Sequence, residues 1–288
     1  MKTFTLANGS ALPEIGYGTW KSTDGCRDKN LCMAFEAGYR LIDTAAAYGN
    51  EELVGQAMRA CGLSREEVFL TSKVMKGQYG YQAAMDSFRD SCKRLGMDYL
   101  DLLLMHFPQS ALSCPNWKEQ NADTWKAMEE LYRTGRVRAI GVSNFLPHHI
   151  EALMEQAAVK PMVNQMELHV GYMQETAVSY MKEQEIQLQA YSPLGRTRVM
   201  DNPVVVSMAQ KYQMSTAQFL LRFLLQQDIC VIPKASTMER MKENLETPQT
   251  VISREDLYIL QCLPQFGFGG EHPDLPRFLP QEEYKPYL

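Results

Sequence analysis

Short apolar runs alternate along most of the chain with longer stretches in which apolar positions recur at helical spacing. The runs at Ile15 to Thr19, Leu41 to Thr44, Val68 to Val74, Leu100 to Met105, Ala139 to Val142, Met162 to Gln165, Gln187 to Tyr191 and Cys230 to Pro233 predict eight strands. Between them, Glu51 to Ala60, Ala83 to Leu95, Ala122 to Thr134, His148 to Ala157, Gln174 to Glu183 and Thr216 to Gln226 carry the helical period. Several strands are apolar almost throughout, the mark of a parallel sheet covered on both faces. Eight strand-helix units close most simply into a (β/α)8, or TIM, barrel, here one domain over residues 1–288. A doubly wound open sheet is the alternative, but its GxGxxG phosphate turn is missing. Ahead of the barrel, Phe4-Thr5-Leu6, Asn8-Gly9 and Leu12-Pro13-Glu14-Ile15 predict a β-hairpin. The tail from Leu263 has Gly267, Gly269, Gly270 and five prolines and no period, so it is expected to be irregular and to cross one barrel mouth.

Composition narrows the partners. With 29 lysines and arginines against 34 aspartates and glutamates, the net charge is -5, and no basic tract offers a landing strip for nucleic acid or anionic lipid. A small molecule is the expected partner, and a monomer the default assembly. The first ten residues lack a signal-peptide pattern and no apolar run approaches the ~18 residues of a membrane helix, so a cytoplasmic location is expected. Seven cysteines, at 26, 32, 61, 92, 114, 230 and 262, show neither CxxC pairs nor Cys/His ligand spacing. They are expected to be reduced thiols with no metal site. The 18 methionines read as core filler.

In a barrel of this kind the chemistry sits at the carboxyl ends of the strands. Three consecutive strands end on polar groups: Arg40-Leu41-Ile42-Asp43, Val68-Phe69-Leu70-Thr71-Ser72-Lys73, and Leu102-Leu103-Leu104-Met105-His106. Tyr48 follows Asp43 closely enough to fold over the same strand end. Taken singly, each has a structural explanation: Asp43 a helix cap, Lys73 its buried ion-pair partner, Tyr48 loop packing, His106 a satisfied core histidine. Together they place an acid, a base, a phenol and an imidazole at one mouth, an expensive arrangement to bury without a task. The set suits protonation of a developing alkoxide. A free phenol has a pKa of about 10 and needs a nearby cation to act as an acid near neutrality. Lys73 supplies that cation, Asp43 orients it, and a neutral His106 hydrogen-bonds the substrate oxygen. None of the four can donate a hydride, so a redox cofactor is required.

These residues resemble a known family, the aldo-keto reductases. Gly38-Tyr39-Arg40-Leu41-Ile42-Asp43-Thr44-Ala45-Ala46-Ala47-Tyr48-Gly49-Asn50-Glu51-Glu52-Leu53-Val54-Gly55 is similar to the family's first signature. Met128, Arg138 and Ile140-Gly141-Val142-Ser143-Asn144-Phe145 resemble the second, and Ile232-Pro233-Lys234-Ala235-Ser236 with Arg240 and Asn244 the third. Matching segments run from Gly18-Thr19-Trp20 to Asn244 in the family's order. The resemblance implies that Asp43, Tyr48, Lys73 and His106 are a catalytic tetrad, with Tyr48 as proton donor. It implies that Ser143, Asn144 and Gln165 hold the nicotinamide carboxamide, that Tyr191 stacks on its ring, and that Ser192, Leu194 and Gly195 line the pyrophosphate path. Lys234, Ser236, Thr237, Arg240 and Asn244 match the segment around the adenosine 2'-phosphate and adenine, and Thr19, Trp20 and Asp43 are further implied cofactor contacts from the first two strands. Trp20, Tyr48, His106 and Phe107 are the implied substrate contacts.

The implied activity is reversible NADPH-dependent reduction of an aldehyde or ketone. Lys234 and Arg240 favour NADPH, because an ammonium and a guanidinium suit a dianionic phosphate where an NAD site offers a carboxylate. Two departures stand out. Ala235 replaces a serine common in the family, which weakens the NADPH preference, and the Gly195 to Met200 segment is short, like the compact microbial branch. Phe107 with Trp20 forms an apolar wall for small or hydrophobic carbonyls, or simply packs the loops. Two rival readings keep the barrel: a non-catalytic cofactor-sensing subunit, and a Schiff-base lyase using Lys73 as nucleophile.

Overall fold

The computed structural model describes residues 2–23 and 29–275, so Cys26 and the tail beyond residue 275 lie outside the described residues. The hairpin pairs β1 (Thr3–Thr5) with β2 (Ala11–Pro13), antiparallel, Thr3 opposite Pro13. Its turn is a three-residue loop closed by Leu6 N donating to Ser10 O at 2.9 Å, with Gly9 at φ +84 taking the left-handed position.

Eight strands follow: β3 (Tyr17–Gly18), β4 (Leu41–Asp43), β5 (Phe69–Val74), β6 (Leu100–Met105), β7 (Val137–Ser143), β8 (Val163–Glu167), β9 (Gln187–Tyr191) and β10 (Cys230–Ile232). They pair in sequence order, every neighbour parallel. The ends of the sheet meet through a parallel bridge between Ile15 and Val231, with Gly16 N donating to Val231 O at 2.8 Å and Gly18 N to Pro233 O at 3.1 Å. The predicted barrel is present, nearly closed. All six residues of β6 are buried, as expected of a strand covered on both faces.

The helices are α1 (Lys29–Ala37), α2 (Glu51–Ala60), α3 (Tyr81–Leu95), α4 (Trp117–Arg133), α5 (Pro147–Met154), α6 (Glu175–Glu183), α7 (Pro203–Lys211), α8 (Thr216–Leu225), α9 (Met238–Leu245) and α10 (Arg254–Gln261). Helix α4 starts five residues before the expected Ala122, because Lys118 to Asn121 form a polar first turn without apolar period. The helical stretches read from the sequence did not include α1, α7, α9 or α10; the Val204-Val205-Val206 run of α7 is β-branched. Its start is nonetheless well marked, with Pro203 in the first turn and Asn202 Oδ1 accepting from Val204 N at 3.0 Å. Among the described residues no helix is long and apolar enough to cross a membrane.

Helices α2 and α3 touch at Gly55, where a Cβ would lie 2.0 Å from the Leu95 carbonyl oxygen. Backbone cannot yield as a side chain can, so Gly55→Ala is expected to cost about 1–3 kcal/mol of stability. Thermal denaturation checks this, and an unchanged midpoint would show that the helices separate freely.

The described tail crosses the C-terminal mouth of the barrel. Phe266 N donates to Gly171 O at 3.0 Å, Arg198 to Phe268 O at 2.6 Å, and Ser110 Oγ to Asp274 O at 2.9 Å.

Candidate active site

Four side chains converge where β4, β5 and β6 end. Asp43 is the last residue of β4, Tyr48 ends the short 3-10 turn Ala46–Tyr48 beyond it, Lys73 is next to last in β5, and His106 directly follows β6. Lys73 Nζ donates to Asp43 Oδ1 at 2.6 Å, to Thr44 O at 3.0 Å and to Tyr48 Oη at 3.3 Å. An ammonium has three N–H donors, and these contacts use all of them. Because the Tyr48 oxygen accepts from Lys73, its own proton is left to point elsewhere. The His106 ring meets the Tyr48 ring edge-on, centroids 5.6 Å apart.

The cation is deeply buried, its side chain 0% exposed. Burial pulls the Lys73 ammonium below its ordinary pKa, while Asp43 and, more distantly, Glu51 oppose the fall without cancelling it. Such a cation holds its proton less tightly than a surface lysine. The second Asp43 oxygen accepts from Gln165 Nε2 at 2.7 Å, and the same nitrogen reaches Gln189 Oε1 at 2.7 Å. Asp43 is thereby clamped from β5 and β8.

Tyr48 and His106 face a cleft of about 680 Å³, within the range of small-molecule sites. Its floor is cross-linked: Tyr191 Oη donates to Asn144 Oδ1 at 2.8 Å, Asn144 Nδ2 to His106 O at 3.0 Å, and Ser143 Oγ to Gln165 O at 2.9 Å. Burial, reinforced by Glu167 and Glu271, pushes the Tyr191 phenol well above its ordinary value, so it is a neutral donor. Asn144 and Ser192 sit in the left-handed region at φ 63 and 49, where non-glycine residues cost of order 1–3 kcal/mol and commonly mark functional positions.

A model of the Aldo/keto reductase family matches residues 14–263. The chain belongs to that family. It is 41% identical over 273 residues to a glyoxal reductase of Bacillus subtilis (strain 168), covering 94% of this chain and 96% of the relative. It is 35% identical over 271 residues to a methylglyoxal reductase of Escherichia coli (strain K12), covering 93% and 96%. A crystal structure of an aldo-keto reductase complexed with NADPH is similar with a TM-score of 0.84 at 33% identity, covering 92% of this chain and 88% of that one.

In this aldo/keto reductase, most residues singled out from the sequence line the one cleft: Trp20, Asp43, Tyr48, His106, Phe107, Ser143, Asn144, Gln165, Tyr191, Ser192, Leu194, Lys234, Ser236, Arg240 and Asn244. Four do not. Lys73 lies behind Asp43 and Tyr48. Thr19 is fully buried, its N–H donating to Asp43 O at 3.0 Å and its carbonyl accepting from Asn50 Nδ2 at 2.9 Å, so it braces the end of β4. Gly195 packs against Val199, and Thr237 caps α9 by accepting from Arg240 N at 3.4 Å. Ala235 lines the cleft with a methyl group.

Other cleft residues escaped the sequence reading, among them Lys21, Arg196, Met200, Glu243 and Glu271. Arg196, at φ 52, places its guanidinium 4.9 Å from the centre of the Trp20 ring, a cation-π contact between the loops after β3 and β9. Lys21 approaches the same ring at 4.7 Å. Charge in a loop beyond a strand end was the available signal for Lys21 and Arg196. Glu271, on the aperiodic tail, gave none.

Proposed function

We propose that this aldo/keto reductase reduces an aldehyde or ketone to the alcohol with NADPH, reversibly, using Tyr48 as the proton donor. The observation that carries the reading is the use of all three Lys73 N–H groups, one of them on the Tyr48 oxygen at 3.3 Å. This turns the phenol proton away from Lys73 and puts a cation where negative charge forms as the proton departs. NADPH, when bound, supplies the hydride. Tyr48 gives its proton to the developing alkoxide, Lys73 stabilises the phenolate that remains, and Asp43 keeps Lys73 in place. His106 orients the carbonyl oxygen beside Tyr48, and Trp20 and Phe107 present apolar faces to the substrate.

The residues present fit the coenzyme. Ser143, Asn144 and Gln165 offer amide and hydroxyl groups for the carboxamide, and Tyr191 offers a flat face for the ring. Lys234 and Arg240, exposed on the cleft wall at the start of α9, suit a phosphate dianion at a helix N-terminus. A structural relative binds NADPH, which supports the same choice.

The lyase reading loses ground on geometry, since Lys73 is sealed behind Asp43 and Tyr48 and does not line the cleft. Against the cofactor-sensing reading, the deciding measurement is NADPH consumption with glyoxal, methylglyoxal and a wider panel of carbonyls. Aldehyde-dependent oxidation is expected, and its absence across the panel would overturn the proposal.

Arg240→Ala is expected to raise the NADPH dissociation constant about 10 to 150-fold and to leave NADH nearly unchanged, because the 2'-phosphate alone loses a charge-assisted contact worth about 1.5–3 kcal/mol. Trp20 lines the cleft, so quenching of tryptophan fluorescence reports both titrations. An equal loss for both coenzymes would reassign Arg240.

A further inference from the structure

Away from the cleft, three of the chain's five histidines gather around one carboxylate. His148 and His149 stand in the first turn of α5, and His272 and Asp274 lie on the tail. The Nε2 atoms of His148 and His149 are each 3.0 Å from Asp274 Oδ1, and the possible ligand atoms of these three residues all lie within 4.8 Å of one another. The two rings lie against each other with centroids 3.9 Å apart, and Trp117 meets the His149 ring edge-on at 5.6 Å.

One atom is out of place for a plain hydrogen-bonded cluster. The His149 side chain is 0% exposed, yet its Nε2, though 3.0 Å from the carboxylate oxygen, makes no hydrogen bond. A buried ring nitrogen beside a carboxylate but not bonded to it is an unmet polar group. An ion shared between them would satisfy it. Two ligands at about 2.1 Å from a tetrahedral ion stand about 3.4 Å apart, so the nitrogen-oxygen separation of 3.0 Å here would open by about 0.4 Å on ligation.

We propose that His148, His149 and Asp274 bind one divalent transition-metal ion of the borderline class, such as Zn²⁺, Co²⁺ or Ni²⁺, with water completing the shell. Two imidazoles and a carboxylate suit that class, whereas Ca²⁺ and Mg²⁺ call for more oxygen ligands. Ligation has a cost: His149 Nδ1 accepts the Leu146 N–H at 3.2 Å, and binding through Nε2 moves the ring proton to Nδ1 and gives up that long contact. The ion clips the tail to α5. Asp274 O already accepts from Ser110 Oγ at 2.9 Å, and Glu271, three residues earlier, lines the cleft, so the clip anchors one wall of the site.

The test is titration of the whole, reduced protein with Co²⁺, followed by visible absorption, alongside His148→Gln and Asp274→Asn. Those side chains are 50% and 29% exposed, so neither change threatens the fold. The expected result is saturation at one ion per chain with ligand-field bands, no thiolate charge-transfer band, and affinity at least about tenfold weaker in each variant. Absence of saturable binding, a thiolate band, or wild-type affinity in either variant overturns the site.

Discussion

Tyr48→Phe is expected to lower turnover about 100 to 10,000-fold, the contribution of a positioned general acid, while leaving NADPH affinity close to wild type. The change deletes one hydroxyl and little volume. It also leaves one of the three Lys73 N–H groups without its acceptor, but the contacts to Asp43 and Thr44 at 2.6 and 3.0 Å remain to hold the cation. The measurement is single-turnover carbonyl reduction with coenzyme binding determined separately. Retention of more than about a third of wild-type turnover, with chemistry limiting, would remove Tyr48 as the donor.

Lys73→Met is the second large effect, and it acts on stability and on rate together. Asp43 would remain 2% exposed with its cation gone, and breaking a buried pair from one side costs about 3–5 kcal/mol. Gln165 still donates to the other Asp43 oxygen at 2.7 Å, which tempers the loss. On the rate side, removing a preorganised donor from the oxygen that becomes negative costs about 100 to 1,000-fold. The direction of the pH effect follows from charge. Reduction needs the phenol proton, so the rate falls on the alkaline side as that proton is lost, and without the cation the proton is lost at higher pH. The alkaline limb of the variant is expected to move upward. Asp43→Asn is milder, because it keeps the shape and weakens the ion pair instead of stranding a charge. A pH profile unchanged in both variants would take Lys73 out of the mechanism, whatever the loss of stability.

Much of the barrel was legible because its signal is local. A run such as Leu100 to Met105, all apolar but for Asp101, reads as a strand wherever it stands, and an amphipathic stretch such as Glu51 to Ala60 reads as a helix with the bounds it has in the structure. Boundaries failed where the local signal is weak, at the polar first turn of α4 and the β-branched run of α7. Asp43, Lys73 and His106 stood out for a related reason: a charged or polar group at the end of an apolar strand must be buried there, and burial without purpose is costly.

What the sequence by itself determined, then, was the order of strands and helices and the chemical identity of the groups at the strand ends, both written in the spacing of apolar positions. The tertiary structure alone decided which groups touch. Asp43 and Gln165, 122 residues apart, meet only because the barrel brings β4 and β8 to one mouth. Trp20 meets Arg196, and His148 and His149 meet Asp274, through loops whose course has no period. Helices and strands impose a repeat that favours particular positions for apolar residues. The path of a loop and of the tail is set instead by individual hydrogen bonds, such as Phe266 N to Gly171 O and Arg198 to Phe268 O, whose partners are distant in sequence and share no pattern with it.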